Sequence, residues 1–439
     1  MKQLTASAIA AFVLLLLGAA FTGTARAAIT SISVVSSTEL GTFDHRDYRE
    51  VQLRMVGTAP GGAYDVPVTL AFPERSKDYS GVAVVDVINT SFVFAPPPFA
   101  NAGYPLARAQ LTDNYNFGSG HVYLGVHWDK AAVEFLGFGT IAAGGDAWTI
   151  IRDAASLARS PLAIPAESRP DGVSKVIGFG YSQTGALMRN FYYSHQNTAG
   201  GGIAFDGTVF GGADGLCLNP AGGPRFLCPG ALADGGKVSV FSTESDAQRG
   251  GFLERAETVD YRVDEIAGVA HTPRPILSFG ALAPDQNPML FSSAVRAALR
   301  NLIAWTDGVD PPSSNYMTLE TEEFLVVGVP FRYAVRDADG NAVGGIRLPH
   351  MTATDSSGEI GAPLGTYLGI DFAQANGSVA FGGRFIPFDS AKLSSLYPNH
   401  GTYVERVAKA ARRLVKRREI LQEDANAYIR DASSSTIGK

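Results

Sequence analysis

Residues 175–191 constrain the fold more than any other stretch. They read Lys175-Val176-Ile177-Gly178-Phe179-Gly180-Tyr181-Ser182-Gln183-Thr184-Gly185, then Ala186-Leu187-Met188-Arg189-Asn190-Phe191. An apolar run with strand character ends in small residues, delivers a serine and passes straight into a helix-forming run. That order predicts a strained strand-to-helix turn whose serine Oγ stands clear of the backbone, a nucleophile elbow. Small residues on both sides let strand and helix pack closely. The common spacing is G-x-S-x-G, and this chain has G-x-S-x-x-G, with Thr184 in place of the second glycine and Gly185 one residue late. The plainer reading is that Ser182 only caps a helix beginning near Gln183, since serine is a favoured N-cap.

Strand-like and helix-like segments alternate through the first two thirds of the chain. The pattern predicts strands near 48–56, 64–72, 81–88, 121–126, 173–179, 205–210, 237–241 and 261–266, and a helix near 147–158. The run GVAVVDVI at 81–88 is apolar almost throughout, as in a strand buried on both faces. This alternation implies an α/β class with a mostly parallel sheet and helices on both sides. Ligands in such sheets sit beyond the C-terminal strand ends, where Ser182 falls. After about 275 the character changes. A helix is expected at 292–305, stopped by Asp310-Pro311-Pro312, then a hairpin over 331–348 turning at Asp339-Gly340. Loops should fill 350–400, and a helix or helix pair 403–432. The basic cluster Arg412, Arg413, Lys416, Arg417 and Arg418 reads as the wet face of that helix.

The first 27 residues read as a secretory signal peptide. Lys2 supplies the charged start, 8–20 the apolar core, and Ala25-Arg26-Ala27 a small-x-small cleavage site placing Ala28 at the mature N-terminus. Two units follow, a catalytic core over 28–275 and a C-terminal extension over 276–439 that is expected to pack on it as a lid. Neither the leader nor any later segment has the uninterrupted apolar length of a membrane span. Losing Lys2 and Arg26 moves the net charge from −6 to −8, which argues against a nucleic-acid partner. Cys217 and Cys228 lie in a Gly/Pro-rich loop, and in an exported protein they are expected to form a disulfide. No metal site and no cofactor is expected.

A serine nucleophile needs a base and a carboxylate to orient that base, in this fold class in the chain order serine, acid, histidine, each after a late strand. The strand at 237–241 is followed by Ser242-Thr243-Glu244-Ser245-Asp246, and that at 261–266 by Ala267-Gly268-Val269-Ala270-His271. His271 is the expected base and Asp246 the expected acid, with Glu244 as the alternative. Of the seven histidines, His400 is the rival to His271, either as base or as a substrate contact, and His350 could also reach the site. The Gln183 N–H should form one half of an oxyanion hole, and the N–H of Thr90 or Ser91, after the 81–88 strand, the other. Tyr181, Phe92 and Trp128 are candidate substrate contacts.

Taken together, Gly180-Tyr181-Ser182-Gln183-Thr184-Gly185, Thr243-Glu244-Ser245-Asp246, Ala267-Gly268-Val269-Ala270-His271, Gly344-Gly345-Ile346-Arg347-Leu348-Pro349 and Tyr397-Pro398-Asn399-His400 resemble a family of bacterial alpha/beta hydrolase domain-containing proteins. The resemblance covers most of the chain beyond the leader, and it makes the late glycine a family trait. It departs at Asn89-Thr90-Ser91, where the family often has asparagine-arginine-glycine. It implies an α/β-hydrolase fold and an esterase. The expected activity is therefore a periplasmic or secreted serine hydrolase of carboxylic esters, acting on a small-molecule or polymer ester. An amidase or peptidase using the same triad, or an inactive binding protein on this scaffold, are the alternatives.

Overall fold

In a computed structural model the described residues are 28–90, 111–135, 139–142, 146–160, 173–220, 225–272, 285–326, 328–351, 361–371 and 382–439. The predicted strand pattern becomes one large sheet. Its members are β1 (Ala28–Phe43), β2 (Arg46–Ala59), β3 (Gly62–Pro73), β4 (Val82–Val87), β5 (Val122–Val126), β6 (Thr140–Ile141), β7 (Lys175–Tyr181), β8 (Gly207–Gly211), β11 (Lys237–Thr243) and β12 (Tyr261–Ile266), with the two-residue pair β9 (Leu216–Cys217) and β10 (Phe226–Leu227) standing apart. The order is β1-β2-β3-β5-β4-β7-β8-β11-β12, with β6 on β3. The first four strands of that order pair antiparallel and the rest, from β5 onward, parallel. All six residues of β4 are buried, as its continuous apolar run requires at the centre of a two-sided sheet.

Helices cover both faces. α3 (Ala147–Arg159) packs on β4, β5 and β7, and α4 (Gln183–Tyr193) on β7 and β8. Their apolar sides, with Ile150, Ile151, Ala154, Leu187, Met188 and Phe191, form one core cluster. Opposite them lies α6 (Ser292–Thr306), packed on β8 and β11 through Val295, Leu299 and Leu302. The smaller helices are α1 (Asp113–Gly118), α2 (Lys130–Phe135) and α5 (Glu244–Gln248).

The segment beyond 285 is built onto this sheet. Asn315 and Ile346 bridge to Asp264 and Ile266, extending the sheet past β12. The C-terminal helices α7 (Ser390–Leu396), α8 (His400–Lys416) and α9 (Gln422–Ser434) follow. α9 is fastened to α6 by Arg296 Nε, 3.0 Å from Asp424 Oδ1, and by Ser293 Oγ, 3.2 Å from Tyr428 Oη.

One strand was not expected and one expectation differs. β1 carries no clean alternation because it is a half-exposed edge strand whose side chains meet water on much of its length. At 331–348 the turn forms at Asp339-Gly340, but its arms pair only as isolated bridges. Arg336 faces Ala342, while Ala334 and Gly344 turn away to Leu319 and Met317. Short antiparallel pairs form instead between β13 (Phe324–Val326) and β14 (Val329–Phe331), and between β15 (Gly365–Leu368) and β16 (Arg384–Pro387).

Candidate active site

Strand period decides which way the elbow faces. In β7, Ile177, Phe179 and Tyr181 point to the α6 face, so Gly178 and Gly180 point to the α4 face. A Cβ on Gly180 would come within 2.5 Å of the Thr184 carbonyl oxygen, and one on Gly185 would collide with the Gly211 carbonyl. The second glycine is therefore needed at 185, where the helix crosses β8, and position 184 is open to another residue. Thr184 uses that freedom. Its Oγ1 accepts from the Tyr181 N–H at 3.1 Å and donates to the Tyr181 carbonyl at 3.2 Å, closing the turn.

Ser182 sits on this turn at φ 61° and ψ −112°, a strained conformation for a residue with a side chain. Its N–H is held by the Gly211 carbonyl at 2.9 Å. It occupies the N-cap position of α4, yet its hydroxyl makes no capping bond. The hydroxyl lies instead 2.8 Å from His271 Nε2, and His271 Nδ1 lies 2.6 Å from Asp246 Oδ1. The carboxylate accepts from Nδ1–H, which leaves Nε2 to accept the serine proton. Ser182 and His271 are half-buried and Asp246 fully buried.

Each partner is fixed by its own loop. Thr243, the last residue of β11, caps α5, and both its Oγ1 (2.6 Å) and its N–H (3.3 Å) donate to Asp246 Oδ2. Ser245 Oγ accepts the His271 N–H at 2.8 Å. Tyr181 holds His271 from the other side, donating from Oη to the His271 carbonyl at 2.7 Å. Gly212, at φ +66°, runs behind the ring, where a Cβ would lie 2.9 Å from His271 Cε1 and 3.0 Å from Ser182 N.

Several expected residues have other places. Glu244 is not the partner of His271. Its buried carboxylate accepts from the Gly268 N–H (2.7 Å), the Gly369 N–H (3.0 Å) and Arg336 Nη2 (2.6 Å), tying the C-terminal segment to the loop that carries His271. Tyr181 is buried and orients the histidine, so it is not positioned as a substrate contact. Trp128 is buried in the core with its indole N–H on the Ile88 carbonyl at 3.0 Å. His400 begins α8, and its ring nitrogens lie 2.8 Å and 3.1 Å from the carbonyls of Ile437 and Ser433. That corrects its candidacy as base or substrate contact, because it serves the C-terminal helices. His350 is half-buried, packed against the rings of Tyr403 and Tyr428, and desolvation lowers its pKa.

Of the oxyanion candidates, the Gln183 N–H belongs to the first turn of α4, where helical amides have no partner within the helix. Thr90 does not present a free N–H. It donates to Gln183 Oε1 at 2.8 Å, because the glutamine side chain reaches back across the elbow. Ser91 and Phe92 lie outside the described residues. Cys217 and Cys228 form the expected disulfide, joining β9 to the residue directly after β10.

A second serine–histidine contact, Ser80 Oγ to His121 Nδ1 at 2.7 Å, shows what is special about the first. The other ring nitrogen of His121 is buried with no hydrogen-bond partner among the described residues, and burial lowers its pKa to about 4. Among the described residues no carboxylate orients it as Asp246 orients His271. Among the described residues no group of three or more His, Cys, Asp or Glu could hold a metal ion, and no helix is long and apolar enough to cross a membrane.

A family model described as an alpha/beta hydrolase domain matches residues 44–430. No curated protein matches the chain. Among solved structures, a CE15 glucuronoyl esterase from Teredinibacter turnerae T7901 aligns at 13% identity over 45% of this chain and 49% of its own, with a TM-score of 0.27. The chain thus spans about half the length of that protein. A glucuronoyl esterase from Solibacter usitatus aligns at 11% identity over 58% and 83%, with a TM-score of 0.31. A rice cell wall degrading esterase from Xanthomonas oryzae aligns at 13% identity over 40% and 49%, with a TM-score of 0.25. Substrate therefore has to be argued from this chain's own residues.

Proposed function

The chain belongs to the alpha/beta hydrolase domain family, and from that premise we propose that it is an exported serine hydrolase of carboxylic esters. The observation that carries the reading is the hydrogen-bond chain from Asp246 Oδ1 through His271 to Ser182 Oγ. In this reading Ser182 Oγ attacks the ester carbonyl carbon as its proton passes to His271 Nε2. The Nδ1–H bond to Asp246 holds the imidazole in the accepting tautomer and stabilises the imidazolium that forms. The carbonyl oxygen becomes an oxyanion, with the Gln183 N–H at the α4 N-terminus as one donor. Collapse of the tetrahedral intermediate breaks the bond to the alcohol, which leaves with the proton from His271. Water, deprotonated by His271, then attacks the acyl-serine and releases the acid.

Export is supported by the apolar stretch at 8–20, by Ala25-Arg26-Ala27, and by the disulfide, a bond that persists in oxidising compartments. The test is labelling with a fluorophosphonate and mapping of the modified residue, with turnover of p-nitrophenyl butyrate measured for wild type and Ser182→Ala. A label on Ser182 and loss of turnover in the variant are expected. Undiminished hydrolysis by Ser182→Ala would overturn the assignment.

A further inference from the structure

We infer that the ion pair between Arg249 and Asp214 positions the triad, as a tether that holds the wall behind His271 against the helix that carries Asp246. The inference rests on the serine esterase reading and adds two positioning residues to it. Neither touches the reacting atoms.

The wall is the segment after β8. Gly212 lies against His271 Cε1 and Ser182 N, and Asp214 follows two residues later. Asp214 is fully buried at φ 55°, a left-handed conformation that aspartate enters more readily than most side-chain residues. Its Oδ2 accepts from Arg249 Nη2, while its Oδ1 is buried with no hydrogen-bond partner among the described residues. A carboxylate withdrawn from water in this way depends on its cation. Immediately beyond it the Gly215 N–H is held by Glu254 Oε1 at 2.8 Å.

Arg249 belongs to the other half of the site. It is half-buried and ends α5, with its N–H on the Ser245 carbonyl at 3.1 Å. That helix presents both Ser245 Oγ and Asp246 Oδ1 to His271. The main chain after Arg249 is wedged between the two halves. A Cβ on Gly250 would lie 2.4 Å from the Asp214 carbonyl oxygen, and one on Gly251 would lie 2.5 Å from that of Asp246. The imidazole therefore has Gly212 against its Cε1 and α5 at its Nδ1, and the ion pair fixes the spacing of the two. Without Arg249 the Asp214 carboxylate gains by turning to water. The loop that moves with it takes Gly212 from behind the ring.

The test compares wild type with Arg249→Gln, Arg249→Lys and the double variant Asp214→Asn/Arg249→Gln on p-nitrophenyl butyrate, each below its own melting temperature. Reactive Ser182 is counted by fluorophosphonate titration, so that kcat is expressed per titrated site. A merely structural pair would lower the melting temperature and the number of sites and leave kcat per site unchanged. Arg249→Gln should instead lower kcat per site about thirtyfold with KM within about twofold, since a misplacement of about 1 Å at the chemistry costs up to about a hundredfold. Arg249→Lys keeps a cation opposite Asp214 without the guanidinium fork and should recover at least about threefold of that loss. The double variant leaves no buried charge unpaired, so it keeps the fold where Arg249→Gln does not, and it should show the same fall because the tether is gone. Wild-type kcat per site in Arg249→Gln or in the double variant overturns the inference. Failure of wild type to turn over the ester, with no fluorophosphonate label on Ser182, instead brings down the esterase reading beneath it.

Discussion

The Tyr181 hydroxyl donates to the His271 carbonyl at 2.7 Å while its ring stacks on the imidazole, with centroids 5.1 Å apart and planes 23° from parallel. The residue before the elbow serine thus holds the main chain and the ring of the histidine together. Behind it, Tyr181 stacks on Phe241 at 5.5 Å and touches Phe291 at 5.4 Å, so the platform is part of the core. Tyr181→Phe keeps the ring and removes one buried hydrogen bond, worth about 1 kcal/mol. We expect kcat for p-nitrophenyl butyrate to fall about fivefold with KM nearly unchanged. A kcat equal to wild type would show that the hydroxyl does not position His271.

The two carboxylates of α5 should separate cleanly by readout. Asp246 meets the imidazole, so Asp246→Asn should reduce kcat by about four orders of magnitude, the effect of a lost tautomer anchor in a triad, with little change in melting temperature. Glu244 is buried against Arg336 and two backbone amides. Glu244→Gln should instead destabilise the fold by about 3 kcal/mol, since it leaves Arg336 unpaired over buried amides. Thermal melts and initial rates on both variants check this. If Glu244→Gln abolishes kcat while Asp246→Asn preserves it, the acid has been misassigned.

Gly212 is the position where a single methyl group should reach the catalytic centre. Its φ of +66° disfavours any side chain, and the added carbon would press on His271 Cε1, Tyr181 Cε2 and the Ser182 N–H together. Gly212→Ala should lower kcat at least about tenfold, because an imidazole displaced by even a fraction of an ångström loses its line to Ser182. It should also destabilise the protein by about 1 kcal/mol or more. Reduced fluorophosphonate labelling in a protein that still melts cooperatively is the expected signature. Unchanged labelling would mean the ring can shift without loss.

Much of this site was legible because its parts are short and follow strands. The apolar runs at β4, β7, β11 and β12 mark their own boundaries, and the chain order Ser182, Asp246, His271 follows from where those strands end. The spacing from β11 favoured Asp246 over Glu244 but did not decide between them. Two acids two residues apart lie close enough that either could serve, and it is the rotation of α5 that sends one to His271 and the other to Gly268 and Arg336. Tyr181 and Gly212 act through geometry between distant segments, which no local pattern encodes. The adjacent Gly211-Gly212 pair at the end of β8 was the one available hint that a side chain was being excluded there. Thr90 misled because an N–H after β4 looks free in sequence, and only the reach of Gln183 across the elbow engages it. β1 left no trace because an edge strand wetted along its length needs no apolar alternation.

Glu419 links pH to stability far from the triad. It is buried just after α8, and burial pushes its carboxyl up to about 7. Arg417, Arg413 and Arg347 oppose that shift and Asp264 adds to it. Asp264, bonded by Asn315 Nδ2 at 2.8 Å, is itself raised to about 6 by burial. The unfolded chain loses the Glu419 proton near its ordinary value of 4.5, while the folded chain keeps it to about 7. Between those values the native state binds more protons, so stability falls as pH rises through that window and the loss is complete above it. Glu419→Gln is neutral throughout and should escape the loss. Its melting temperature should match wild type near the bottom of the window and exceed it above the top, with the gap opening in between. Asp264 titrates over an overlapping range in both proteins, so the difference between the two curves reports Glu419. A gap that stays constant from acid to alkaline pH would mean Glu419 is already ionised in the folded protein.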